Sequence, residues 1–192
     1  MPHPNPPARL TTADTALLVI DVQEKLVPKI AGADAMVRNT AFLFDVCKIL
    51  GVPVFATEQY PKGLGQTVPE LAARLPDRPE KLAFSSCAVP AIIEGFRAGR
   101  PKVLLAGIET HVCVMQTALD LLALGFHVFL PVDALSSRYR IDHDTAIQRM
   151  RDAGAVVVTC EMAAFELTGV AGTPRFKEIS RLVQERMKSI AS

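Results

Sequence analysis

Cys113 lies in the stretch Lys102-Val103-Leu104-Leu105-Ala106-Gly107-Ile108-Glu109-Thr110-His111-Val112-Cys113-Val114-Met115-Gln116-Thr117-Ala118. An apolar run ends at a glycine, a short polar turn follows, and a helical pattern opens with the thiol. At such a junction the free N–H groups of a helix start point outward. The positive end of the helix dipole lowers a thiol pKa, and the same N–H groups can hold a developing oxyanion. This is the chemistry of a cysteine nucleophile. The ordinary alternative is a small apolar residue on a buried helix face, the usual place of a free cysteine. Asp21, directly after the apolar run Ala16–Ile20, and Lys81 complete the set. A carboxylate beside the thiol can take its proton, and an ammonium beside both favours the carboxylate and the thiolate. Taken singly, Asp21 also suits a turn and Lys81 a solvated surface position. Their common placement at strand ends joins them to Cys113.

The elements that must bring them there alternate. Ala16–Ile20 is a continuous apolar run, as in a central parallel strand buried on both faces. Met36–Leu50 has helical periodicity and stops at Gly51. Further strands are expected at Pro53–Thr57, from Glu80 through Ala83 and Phe84, at Lys102–Ala106, Phe126–Leu130 and Ala155–Thr159. Helices are expected at Val89–Gly99, Cys113–Leu124, Asp142–Ala153 and Phe176–Lys188. This rhythm predicts a single-domain, doubly wound (Rossmann-like) α/β fold: a six-stranded parallel sheet with helices on both faces and the site at the carboxyl ends of the strands. No glycine-rich phosphate loop follows any strand, since Asp21-Val22-Gln23-Glu24-Lys25 follows the first. Dinucleotide and P-loop signatures are therefore absent.

The chain has 192 residues and a net charge of +1, enough for one domain with a substantial core. Its Lys and Arg are scattered, which argues against nucleic acid or an anionic membrane as partner. No apolar run is long enough to span a bilayer. Residues 1–11 read as a flexible, proline-rich tail without the apolar core of a signal peptide, and residues 12–192 as the domain. The four cysteines form no C-x-x-C pair, so neither a zinc knuckle nor a redox dithiol is indicated. A cytoplasmic protein with reduced thiols is expected.

Three segments carry a resemblance to a known family: Leu18-Val19-Ile20-Asp21-Val22-Gln23, the Lys81-x-x-Phe84-Ser85 segment, and Gly107-Ile108-Glu109-Thr110-His111-Val112-Cys113-Val114. In order and topology they resemble the signature segments of the isochorismatase-like cysteine hydrolases. The resemblance runs from about Thr12 to Lys188 and is closest to the isochorismatase domain-containing subgroup, which Thr57–Gly65, Val132–Arg138 and Pro174–Ile179 also resemble. It implies a catalytic triad of Asp21, Lys81 and Cys113, a cis peptide between Ile108 and Glu109, and an oxyanion hole made by the N–H groups of Glu109 and Cys113. It also implies a homo-oligomer, in keeping with the apolar run Ala118–Leu124, which carries more apolar residues than one helix face needs. Relatives that act on nicotinamide hold a metal with histidines after the second strand. Here that region reads Glu58-Gln59-Tyr60-Pro61-Lys62, so no metal and no cofactor are expected. True isochorismatases lack the nucleophilic cysteine that is present here. His111 stands where many relatives have an acidic residue.

Gln23, Glu58, Gln59, Tyr60 and Arg138 are the candidate substrate-binding residues, Arg138 suiting either an acidic substrate group or a helix-start salt bridge. The expected activity is metal-independent hydrolysis of a small amide or related acyl compound through a thioester. The rival reading is a binding or redox-sensing protein that keeps the fold and a reactive thiol without turnover.

Overall fold

The computed structural model describes residues 9–75 and 77–190. In chain order the elements are β1 (Thr15–Ile20), α1 (Ala33–Leu50), β2 (Val54–Gln59), the short α2 (Pro61–Leu64) and α3 (Pro69–Ala72), β3 (Glu80–Lys81), α4 (Pro90–Arg97), β4 (Lys102–Ile108), α5 (Met115–Ala123), β5 (His127–Pro131), β6 (Leu135–Ser136), α6 (Arg140–Asp152), β7 (Val156–Val158), α7 (Cys160–Thr168) and α8 (Pro174–Ile190). All ladder pairings are parallel. The sheet order is β3-β2-β1-β4-β5-β7, with β6 also pairing with β4. The sheet thus has seven strands rather than six. β5 pairs with the first half of β4, from Lys102↔His127 to Leu104↔Phe129. After a 3₁₀ turn at Val132–Ala134, β6 takes over the same edge at Gly107↔Leu135 and Ile108↔Ser136. Two residues are too few to carry a periodic signal, so the sequence shows no strand there.

β1 and β4 are buried along their whole length and pair from Thr15↔Lys102 to Ile20↔Gly107. Alternate side chains feed two cores. Leu17, Val19, Leu104 and Ala106 meet Leu43 and Val46 of α1, Ala163 and Leu167 of α7 and Ile179 of α8. Leu18, Ile20, Val103 and Leu105 meet Phe96 of α4, Ala118 and Leu121 of α5 and Met150 of α6. Each such aliphatic side chain removed from water contributes about 1.5–3 kcal/mol, which is why an uninterrupted apolar run is stable only in the middle of the sheet. The order in which strands are added reverses between β1 and β4, the place where parallel sheets of this kind position a site at the strands' carboxyl ends.

The sequence expectations shift at several points. β3 is only Glu80–Lys81, and Ala83 and Phe84 lie beyond it. α7 has no counterpart among the expected helices. The proline-rich expectation for residues 1–8 lies outside the described residues, and at its far end Leu10 is buried, its N–H donating to Glu166 Oε2 at 3.0 Å. No described helix is long and apolar enough to cross a membrane.

Candidate functional site

Asp21 ends β1 with φ of +53°, a left-handed conformation that a short polar side chain tolerates better than most. Its N–H still donates to Thr57 O at 3.2 Å, and the bend carries its fully buried carboxylate to the sheet's carboxyl end. Lys81, at the end of β3, reaches the same point from two strands away. Its Nζ donates to Asp21 Oδ2 and Gln59 Oε1, each at 2.7 Å, and to Phe84 O at 2.9 Å, with Ala83 O at 3.3 Å. The three ammonium protons are thereby committed. The side chains of Lys81 and Asp21 are 1% and 0% exposed.

Cys113 approaches from β4. Gly107 has φ of +117°, and a Cβ there would lie 2.1 Å from Ile20 O. Only glycine lets β4 run this close to β1 at the site. The Ile108–Glu109 peptide is cis. Residues Thr110–Val114 then form a single π-helical turn before α5 begins at Met115. Cys113 is therefore inside a wide turn and not the first residue of the regular helix, a correction to the expected helix start. The Glu109 carbonyl accepts from Val112 N–H at 3.0 Å and Val114 N–H at 3.2 Å, skipping the N–H of Cys113 between them. Such wide turns recur at functional sites.

The charges of Asp21 and Lys81 both act on the Cys113 thiol, in opposite directions. Burial raises the Asp21 carboxyl above the usual carboxylate range, against the pull of Lys81 and its hydrogen bonds. Burial, and next the Asp21 charge, push the Cys113 thiol up to about 12. This reverses the lowered thiol pKa expected from the sequence. The cause is charge balance: one ammonium balances one anion, so a thiolate facing an ionised Asp21 would leave a buried net negative charge. The same site with its proton moved from sulfur to Asp21 keeps that balance, so the thiolate is reachable by internal transfer.

A chain of polar groups backs the pair. Thr57 Oγ1 donates to Asp21 Oδ1 at 2.9 Å and lies 3.2 Å from Ser86 Oγ. Ser86 N–H donates to Thr117 Oγ1 at 2.9 Å, which donates to Cys113 O at 2.7 Å. Sequence reasoning passed over Thr57, Ser86 and Thr117. The usable signal was a buried hydroxyl four residues after the cysteine on the same helix face.

The remaining candidates separate. Gln59 joins the site through Lys81 and holds Leu82 O through Nε2 at 2.9 Å. Gln23 is fully buried, and its amide bonds Gln59 O, Gly65 O and Gln59 N–H at 3.0, 2.6 and 2.8 Å. Glu58 accepts from Thr67 N–H, Thr67 Oγ1 and Arg78 Nε. These two are engaged with the protein itself. Tyr60, in a left-handed conformation, is half exposed. Arg138 spends its Nε and its backbone N–H on Glu109 Oε2. His143, near the start of α6, is half-buried against Thr110, 2.9 Å from its hydroxyl, and burial holds its pKa below the ordinary value. Cys47 and Cys160 are fully buried and Cys87 partly so. No cluster of three or more His, Cys, Asp or Glu that could hold a metal occurs among the described residues.

The chain belongs to the isochorismatase domain family, whose profile matches residues 15–162. Mouse isochorismatase domain-containing protein 2A is 42% identical over 180 residues, which span 92% of this chain and 86% of that protein. A Caenorhabditis elegans structure described as MAR1 ribonuclease superposes with a TM-score of 0.87 at 40% identity, covering 92% of this chain and 93% of that one. The Escherichia coli YcaC product, described as an octameric hydrolase of unknown specificity, superposes at 0.86 with 27% identity over 98% of each chain. The family fold is thus common ground between this chain and these neighbours.

Proposed function

We propose that this protein is a cysteine hydrolase of a small amide or related acyl compound, working through Asp21, Lys81 and Cys113 without a metal. The observation that supports the reading is the buried Lys81–Asp21 ion pair at the carboxyl ends of β3 and β1, with the buried Cys113 thiol under the influence of both charges. Asp21 takes the thiol proton as Sγ attacks the carbonyl carbon. The resulting oxyanion accepts hydrogen bonds from the N–H groups of Glu109 and Cys113. Collapse breaks the C–N bond, and the amine leaves with the proton from Asp21. Water then gives a proton to Asp21 and its oxygen to the thioester carbon. The second collapse releases the acid, and the sulfur regains its proton from Asp21. Lys81 keeps one negative charge balanced throughout, whichever atom carries it. Tyr60, half exposed, is the candidate substrate contact in this reading.

The reading includes a cytoplasmic homo-oligomer acting on a small molecule. The octameric assembly named for the YcaC product supports the oligomer, as do the exposed Leu82, Phe84, Tyr139 and Ile141. Light scattering measures it directly. The ribonuclease name of the C. elegans structure belongs to that protein, and it makes RNA the comparison substrate. Ammonia release from a panel of small primary amides, beside an RNA cleavage assay, tests the activity. Turnover of an amide that Cys113→Ala abolishes is expected. RNA cleavage that survives Cys113→Ala, with every amide inert, would overturn the reading.

A further inference from the structure

One short segment, residues 137–143, holds three consecutive residues, Glu109 to His111, at the start of the turn that carries Cys113. Arg138 donates its backbone N–H and its Nε–H to Glu109 Oε2 at 3.1 and 3.0 Å. His143 Nδ1 lies 2.9 Å from Thr110 Oγ1. Ser137 Oγ lies 3.0 Å from His111 Nδ1, and Asp142 Oδ2 lies 3.9 Å from the other nitrogen of that ring. Thr110 and Ser137 are buried, and the Glu109 side chain is 10% exposed. The partners are 26–33 residues apart in sequence, so these contacts are tertiary and do not belong to the turn's own folding. They converge on the backbone between the Glu109 and Cys113 N–H groups, which are the donors the proposed mechanism needs.

We propose that residues 137–143 form a clamp on this turn, with Arg138 and His143 as positioning residues that hold the Glu109 and Cys113 N–H groups in the geometry for acyl transfer. The inference rests on Cys113 being the nucleophile. Donors stabilise an oxyanion only when fixed where charge develops, and a supporting shell left loose by about 1 Å loses much of that effect. Arg138 thereby acts through Glu109, a role separate from contact with substrate.

Two reactions at the same sulfur isolate this role. Acetylation by p-nitrophenyl acetate passes through an oxyanion. Alkylation by iodoacetamide displaces iodide at a saturated carbon and needs only the thiolate. In Arg138→Ala, His143→Ala and Thr110→Val, the acetylation rate should fall by about tenfold or more. Alkylation should stay within about twofold of wild type in protein shown by urea unfolding to be folded. Arg138→Lys, which can still reach Glu109, should recover part of the loss. Acetylation at the wild-type rate, or acetylation and alkylation falling in parallel, would overturn the clamp. Thr110→Val preserves volume and keeps the test available should an alanine variant fail to fold. A wild-type protein that is alkylated but never acetylated at Cys113 would overturn the nucleophile reading itself, and the clamp with it.

Discussion

Replacing Lys81 by methionine keeps most of the side-chain volume and removes the ammonium from a site that is almost entirely closed to water. Asp21 loses its counter-charge, and Gln59 Oε1 and Phe84 O lose their donor. An exposed ion pair would contribute about 0.2–1 kcal/mol. Here both side chains are at most 1% exposed, the regime in which removing one partner costs about 3–5 kcal/mol because the other charge stays buried. A solvated surface lysine would be removable with the fold intact. The four-fold engagement of Lys81 predicts instead a loss that is a large share of a typical domain's stability. The pH dependence fixes the cause. Burial already raises the Asp21 pKa, and Lys81 lowers it, so the variant raises it further. A group with a raised folded pKa contributes stability that is present at low pH and lost as pH rises through that pKa. The deficit of Lys81→Met should therefore grow as pH rises above the ordinary carboxylate range, and so be larger near about pH 8 than near about pH 5. Adding Asp21→Asn, which removes the stranded charge, should recover much of it. Urea unfolding followed by circular dichroism at both pH values measures all three proteins. A single-variant loss below about 1 kcal/mol at the higher pH, or no rescue in the double variant, would refute the reasoning, since the pair would then behave as a surface pair.

Three further outcomes follow from the same geometry. Gly107→Ala should lose about 3 kcal/mol or more, or fail to fold, because its Cβ would meet the Ile20 carbonyl at 2.1 Å in a positive-φ conformation; a thermal melt within about 2 °C of wild type would contradict this. Iodoacetamide should label Cys113 faster than Cys87, although the thiols are pushed up to about 12 and about 11, because only Cys113 can hand its proton to Asp21. Its labelling rate should rise with pH through the raised Asp21 pKa and then level off, and peptide mapping that shows Cys87 or Cys47 labelled first would count against the nucleophile assignment. Extended chelation should leave activity and melting temperature unchanged, and stoichiometric zinc or iron lost together with activity would contradict the metal-free reading.

The central strands were legible because they rest on a strong local signal, and the meeting of Asp21 and Lys81 because both follow or end strands. Leu17–Ile20 can be stable only between two helical layers, and the adjacency of β1 and β4 brings Asp21 and Cys113 to the same end of the sheet once strand order is inferred. The parts that were not legible depend on short or nonperiodic features. α7 buries one stripe, Cys160, Ala163, Ala164 and Leu167, but the apolar Met162 and Phe165 on its exposed side blur the periodic signal; Thr159, whose hydroxyl caps Met162 N–H, is a further sequence cue. Gln23 and Glu58 stand beside the signature residues, yet their polar atoms bond backbone and side chains up to 42 residues away, which spacing does not encode. The thiol's raised pKa was hidden for a related reason. A helix start suggests stabilisation of an anion, but the depth of burial and the facing Asp21 charge are tertiary properties.

The covalent intermediate on Cys113 is the most direct test of the account. Protein mixed with p-nitrophenyl acetate, quenched in acid within the first turnover and mapped by mass spectrometry, should carry one acetyl group on the peptide containing Cys113. That group should disappear as hydrolysis proceeds, and it should be absent from Cys113→Ala. Acetylation of Cys87 instead, or full turnover by Cys113→Ala, would contradict the central claim.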